Sequence, residues 1–281
     1  MELSNIKTIE ALLKKHGFSF KKSLGQNFLI NPEVCPQMAS LACDENMGVL
    51  EIGPGIGVLT KELSKTAKRV VAIELDERLK AILPETLADC SNVEIIFGDA
   101  MKLDLKEIIT QKFSDCESVC VCANLPYYIT SPIIMMLLES KLPIKNITVM
   151  VQKEAAERLC AKVGSREAGA VTVAVDYYSK AKILFDVDRY SFMPSPNVDS
   201  AVIQLEIREK SEIDVLNEKK FFSLVKACFA QRRKTLVNTV SNTTNYSKES
   251  LRNALKAIGL SETVRAEQLT MEQLAQLSNM I

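Results

Sequence analysis

The chain has 281 residues, 47% of them apolar and 25% charged, with 35 basic and 35 acidic side chains and a formal net charge of zero. That length supports one large domain and a smaller one, and no apolar run reaches the roughly 18 residues that a membrane-spanning helix needs. The opening segment MELSNIKTIEALLKK has neither the apolar core nor the cleavage site of a signal peptide, so a cytoplasmic address and no membrane partner are expected.

That opening segment reads as an amphipathic helix. From Val49 the pattern becomes strand, glycine turn, helix, repeated. GVLEIG reads as a strand and GVLTKELSKTAK as a helix, with Val58, Leu59 and Leu63 at helical spacing. RVVAIELD is a second strand, followed by the helix ERLKAILPETLA, bent or restarted at Pro84. NVEIIFGDA, SVCVCANLP and NITVMVQ are further strands, with the apolar helix SPIIMMLLES before the last. Ser131 is the expected N-cap of that helix and Pro132 its first residue. Short strands apolar throughout, alternating with helices, imply a parallel sheet covered on both faces. AKILFDV and SAVIQLEI are too close together for a crossover helix, so the sheet is expected to finish in an antiparallel, hairpin-like pair. After Arg208 a charged linker leads to segments of helical periodicity only. The expected division is therefore an α/β domain over 1–208 and a small all-α domain over 209–281.

Eight Cys without a CxxC spacing, several of them in strand- or helix-like segments, read as reduced and mostly buried thiols. One His, His16, and scattered Cys give no zinc site, and no metal is expected. Zero net charge is a weak argument against a nucleic-acid binder, because a basic footprint is the usual sign. However, Lys219 to Asn238 contains six basic residues and no acid, with Arg232, Arg233 and Lys234 on an apparent helix. Lys14, Lys15, Lys21 and Lys22 form a second basic stretch. A basic run ordinarily reads as a solvated face, but the long acid-free stretch with Arg232, Arg233 and Lys234 reads equally as a phosphate-facing surface.

In an open parallel sheet, ligands sit beyond the carboxyl ends of the strands. The first strand ends in EIGPGIG, where Gly53, Gly55 and Gly57 give a turn that a ligand can approach closely. The second ends in Glu74, suited to ribose hydroxyls, the third in Asp99, suited to an adenine amine, and the fourth in Asn124. The glycine loop carries no Lys or Arg, so these residues describe a pocket for an adenosine ligand without phosphates. S-adenosylmethionine fits better than a dinucleotide or ATP. NLPY then acquires a purpose. An aromatic amine is a poor nucleophile because its lone pair is delocalised into the ring. Two acceptors, the Asn124 side chain and the Leu125 or Pro126 carbonyl, would hold the amine out of conjugation while Tyr127 stacks on the base. The base must leave its helix or loop to get there.

Together, SLGQNFL (23–29), EIGPGIGVLT (51–60), NLPYYITSP (124–132), FMPSPNVDSAV (192–202) and FAQRRKTL (229–236) resemble the bacterial small-subunit ribosomal RNA adenine dimethyltransferases over nearly the whole chain. The resemblance implies a Rossmann-like methyltransferase sheet followed by a small helical domain. It implies S-adenosylmethionine as cofactor and transfer of two methyls to N6 of each of two adjacent adenosines in the 3′-terminal hairpin of 16S rRNA, within the immature small subunit. Asn27 and Leu29 would then join Gly53, Gly55, Glu74, Asp99 and Asn124 around the cofactor. Asn124, Leu125, Pro126 and Tyr127 would form the amine site, with Phe192 a second aromatic near the base. Lys22, Arg232, Arg233 and Lys234 would touch RNA, and a monomer is expected. The nearest alternative is the related class that methylates a large-subunit adenine. A protein-glutamine methyltransferase is disfavoured by Leu125, and a purely RNA-binding assembly factor by the intact Glu74, Asp99 and Asn124.

Overall fold

The structure is a computed structural model and describes residues 1–19 and 27–281. Lys22, expected to touch RNA, lies outside the described residues, as does the start of SLGQNFL.

The strands in chain order are β1 (Phe28–Leu29), β2 (Met47–Ile52), β3 (Arg69–Glu74), β4 (Val93–Phe97), β5 (Ser118–Asn124), β6 (Asn146–Gln152), β7 (Ser179–Val187), β8 (Phe192–Met193) and β9 (Ser200–Ile207). β1 and β8 pair antiparallel, Phe28 opposite Met193 and Leu29 opposite Phe192. The other seven form one sheet in the order β4-β3-β2-β5-β6-β9-β7. β4, β3, β2, β5 and β6 run parallel, and β9 runs antiparallel to β6. Every residue of β2 is buried, as is nearly all of β3, β5 and β6. Burial on both faces is why these strands read as unbroken apolar runs rather than alternating ones.

The sheet grows outward in both directions from β2. One neighbour is β3 and the other β5, so the chain reverses its direction of winding between β2 and β5. Their carboxyl ends diverge into the crevice where α/β sheets take ligands. One face carries the helices Val34–Ala42 and Val58–Thr66, whose Met38, Ala39, Leu59 and Leu63 pack on Val49, Val70 and Cys120. The N-terminal helix Ile6–Lys15 buries Ile9, Leu12 and Leu13 with Leu79, Ile82 and Leu83. Each such Leu or Ile contributes about 1.5–3 kcal/mol on burial. Pro84 does interrupt its segment, which becomes a 3₁₀ turn, Glu77–Ala81, and a short helix, Leu83–Thr86. His16 sits at the end of the N-terminal helix, where its Nε2 lies 2.9 Å from Glu85.

Packing divides the chain into two units, 1–156 with 182–207, and 157–181 with 208–281. The second unit thus starts earlier than a cut after 208 would have it. Its core explains why: Val163, Val173 and Tyr177 are buried with Phe221, Leu236, Leu251 and Leu274. The helix Ala170–Tyr178 belongs with the helices Glu218–Cys228, Leu236–Thr243, Lys248–Ala257 and Met271–Met280. The charged linker is tied down as well, since Asn279 donates to the Asp214 carbonyl and accepts from the Leu216 amide.

Two local expectations are corrected. SPIIMMLLES begins at Thr130, not after a Ser131 cap, and follows a 3₁₀ turn, Tyr127–Ile129. The Pro126 carbonyl accepts from the Ile129 amide (3.1 Å) and the Thr130 hydroxyl (3.2 Å), which anchors the entry to the helix two residues early. Arg232, Arg233 and Lys234 lie in a turn, not on a helix. The preceding helix stops at Cys228, and Thr235 caps the next by accepting from the Asn238 amide.

Candidate active site

The carboxyl ends of β2, β3, β4 and β5 open into a cavity of about 150 Å³. β2 delivers the glycine turn. Gly53 and Gly55 have φ of +73° and +58°, a region that favours glycine. An added Cβ at Gly53 would meet nothing within 4 Å, whereas at Gly55 it would meet the Phe28 ring at 3.3 Å. The Gly55 amide donates to Glu74 Oε2 (3.1 Å) and the Asp76 amide to Glu74 Oε1 (2.7 Å). Glu74 therefore latches the turn at the end of β2 to the end of β3. Burial pushes its carboxyl up, and those two backbone donors pull it back down.

Asp99, after β4, accepts from the Met101 amide (3.0 Å) and lies 3.4 Å from Lys102 Nζ. Asn124 ends β5 opposite Met150. Its side chain takes no hydrogen bond among the described residues, so its amide oxygen is open. Leu125 is held by its amide on the Met150 carbonyl (3.2 Å). The Pro126 carbonyl already receives its two donors, so of the Leu125 and Pro126 carbonyls only that of Leu125 is open among the described residues. The Tyr127 hydroxyl is 2.8 Å from the buried Ser200 Oγ, and burial pushes its ionisation above the usual range. Phe192 is 3% exposed and pairs through β1 with Leu29.

All the expected cofactor and amine-site residues line this one cavity: Asn27, Leu29, Gly53, Gly55, Glu74 and Asp99, then Asn124, Leu125, Pro126, Tyr127 and Phe192. Arg232, Arg233 and Lys234 belong to the second unit. There one Arg232 amino group donates to the Arg166 (2.6 Å) and Ala168 (3.4 Å) carbonyls, while Arg233 and Lys234 are exposed.

The sequence reading missed Glu51, which also lines the cavity at 1% exposure. Its Oε2 has no hydrogen bond among the described residues, and the Thr60 hydroxyl facing it lacks one too. Burial, opposed by Thr60 and reinforced by the charge of Glu74, raises its carboxyl to about 8. The signal was an ionisable residue inside a strand otherwise apolar. Tyr128, Leu75 and Met101 were missed as well; they are 58%, 52% and 39% exposed at the cavity.

The lining contains Glu51, Glu74 and Asp99 but no Lys or Arg among the described residues. Phosphate would find no counter-charge here. A cationic ligand with a ribose and an amine-bearing base would find carboxylates for each, with apolar walls between. The residues present therefore fit S-adenosylmethionine.

Comparison with known proteins agrees. The sequence profile of a family described as ribosomal RNA adenine dimethylase matches residues 17–281. A ribosomal RNA small subunit methyltransferase A from Anoxybacillus flavithermus is 47% identical over 274 residues, 96% of this chain and 93% of the relative. The protein of the same name from Bacillus pumilus is 48% identical, over 96% and 94%. A dimethyladenosine transferase from Plasmodium falciparum superposes with a TM-score of 0.72 at 29% identity, covering 89% of this chain and 95% of that one. The 23S rRNA methyltransferase ErmE gives 0.66 at 26% identity, covering 90% and 98%.

Proposed function

The chain belongs to the ribosomal RNA adenine dimethylase family and is an S-adenosylmethionine-dependent enzyme, and from that premise we propose that it methylates N6 of two adjacent adenosines in the 3′-terminal hairpin of 16S rRNA, giving N6,N6-dimethyladenosines. Its substrate is the RNA within the immature small subunit, it acts as a monomer in the cytoplasm, and the modification accompanies subunit maturation. One observation carries the reading: among the described residues, a single cavity joins a carboxylate-lined adenosine pocket without basic residues to an open Asn124 amide and Leu125 carbonyl. The small-subunit relatives at 47–48% identity support this substrate over a large-subunit adenine.

When bound, S-adenosylmethionine supplies an electrophilic methyl group on a sulfonium. Glu74 would hold the ribose, Asp99 the adenine amine, and Glu51 the cationic end, with Asn27, Leu29, Gly53 and Gly55 closing around them. The Asn124 oxygen and the Leu125 carbonyl accept from the two N–H groups of the target amine. That turns its lone pair out of conjugation and aims it. Tyr127 and Phe192 hold the base between rings, and the bond to Ser200 fixes the Tyr127 ring. Tyr127 stays protonated near neutral pH and is no base. Methylation makes the nitrogen acidic, and its proton passes to water. Asn124 keeps an acceptor for the second transfer, when one N–H remains. Arg233 and Lys234, with Arg232 in part, would meet RNA phosphate, and RNA shape would choose the site.

The test uses small subunits and naked rRNA from a strain lacking the modification, incubated with labelled cofactor and mapped by mass spectrometry. Dimethyladenosine at two adjacent positions near the 3′ end of 16S rRNA is expected. Label in 23S rRNA instead would overturn the substrate.

A further inference from the structure

Just before Phe192 of the cavity wall, the chain carries the most exposed aromatic ring among the described residues. Tyr190 is 73% exposed, in the 3₁₀ turn Arg189–Ser191 that leads into β8. Only Ser191 separates it from Phe192 in the chain, at most about 7 Å between Cα atoms. The ring is held out by a braced turn. The Tyr190 amide donates to Asp188 Oδ1 (2.8 Å), the Ser191 amide to the Asp188 carbonyl (2.9 Å), and the Arg189 amide to Asp199 Oδ1 (3.1 Å). The Ser195 hydroxyl donates to the Arg189 carbonyl (2.9 Å). The Ser191 carbonyl accepts from Ile30 (2.8 Å) and Asn31 (3.3 Å), which ties the turn to the segment just after Leu29 in the cavity wall.

The Arg189 guanidinium lies over the Tyr190 ring, 5.6 Å from its centroid. It is itself held by the Asn197 carbonyl (3.1 Å) and lies 3.6 Å from Asp199. A cation over one face leaves the other face of the ring to solvent and keeps a positive charge beside it. An exposed ring on a mobile loop would mean little. A ring braced in place, backed by a cation and one chain residue away from a ring that lines the cavity has the form of a stacking platform for single-stranded nucleic acid. A base drawn out of an RNA hairpin leaves its neighbour without a stacking partner, and an exposed aromatic face can replace it.

We propose that Tyr190, backed by Arg189, stacks on the RNA base adjacent to the adenosine held in the cavity. Tyr190 is a positioning residue: it holds the neighbouring nucleotide so that the target base stays seated. This rests on the function proposed above. There one neighbour of each target base is the other adenosine.

The experiment measures methyl transfer to unmodified small subunits by the full-length protein and by Tyr190→Ala, Tyr190→Phe and Tyr190→Trp. Tyr190→Ala should raise KM for subunits about 10-fold, in the range a lost base stack produces. Thermal midpoint and cofactor Kd should not change. Tyr190→Phe and Tyr190→Trp should restore KM, because stacking needs only the ring face. Excess naked 3′-terminal hairpin should inhibit wild type at about 10-fold lower concentration than it inhibits Tyr190→Ala. An unchanged KM overturns the proposal, and so does a loss that Phe fails to rescue. Equal competition by the hairpin also overturns it, and assigns the ring to a protein of the subunit. If wild type itself leaves the 16S adenosines unmethylated, the underlying function fails rather than the platform.

Discussion

At the scale of single residues, Glu51 and Asn124 carry the sharpest consequences. A cofactor-free chain keeps Glu51 protonated up to about 8, whereas the unfolded chain releases that proton near the ordinary value of 4.5. The folded state binds the extra proton between those values, so the stability from this group is fully present below 4.5 and is lost as the pH rises to about 8. Glu51→Gln removes the titrating group. The thermal midpoint of the cofactor-free variant should fall less than that of wild type across this window, and parallel profiles would refute the assignment. Binding a cationic ligand beside Glu51 should also release a proton, measurable as a buffer-dependent binding enthalpy that Glu51→Gln lacks. Asn124→Ala should slow methyl transfer at saturating cofactor by about 100-fold, the size of effect seen when a positioned polar group is deleted from a transition-state site. Its subunit binding should persist. If binding is lost too, Asn124 is scaffold rather than amine site. That Asn124 mattered could be read in the sequence from its place at a strand exit. That Leu125 and not Pro126 offers the second carbonyl could not, because the competing donors come from Ile129 and the Thr130 side chain after the chain has turned.

At the scale of elements, the glycine turn and the basic turn behave differently. Gly53→Ala adds a methyl into open space at φ +73°, so its folding cost should be only about 1–2 kcal/mol of backbone strain. Its cofactor Kd should rise well beyond that of the wild type, because the methyl points where a ligand must approach. Isothermal titration set beside thermal melting separates the two effects, and an unchanged Kd would place the ligand elsewhere. In the basic turn, Arg232→Ala removes donors from two carbonyls of the segment 166–168 and should cost about 1 kcal/mol of stability. Arg233→Ala should leave the melting curve alone and weaken RNA binding only. If both variants melted like wild type, the Arg232 contacts would be energetically idle. Helical periodicity alone ran this segment together as one helix. The break comes from Thr235 capping a new helix and from Arg232 being recruited by residues 66 and 64 positions away in sequence.

For the whole molecule, two linkages follow. Ligand binding to the folded state alone raises stability by mass action, about 2.7 kcal/mol when free cofactor stands a hundredfold above Kd. Saturating S-adenosylmethionine should therefore shift the thermal transition upward, and Glu74→Ala should abolish the shift. The balanced charge of 35 basic and 35 acidic side chains limits how many phosphates the protein neutralises. RNA affinity should fall only modestly with salt, and a slope implying about ten or more contacts would contradict this.

The sequence by itself determined the parallel α/β sheet, because strands buried on both faces must be apolar throughout and helices must alternate with them. It also determined the order of ligand-facing residues, because Gly53, Glu74, Asp99 and Asn124 each lie at or within two residues of a strand's carboxyl end and those ends share one edge. Only the tertiary structure decided which of those atoms are open. Glu74 is spent partly on the Gly55 and Asp76 amides, while Glu51 is left buried with a carboxyl oxygen unpaired among the described residues. It also decided that residues 157–181 pack with the C-terminal helices. The physical reason is the same in both cases. Periodicity reports what one segment prefers, whereas hydrogen-bond occupancy and core membership are settled by segments far away in the chain that meet only once it has folded.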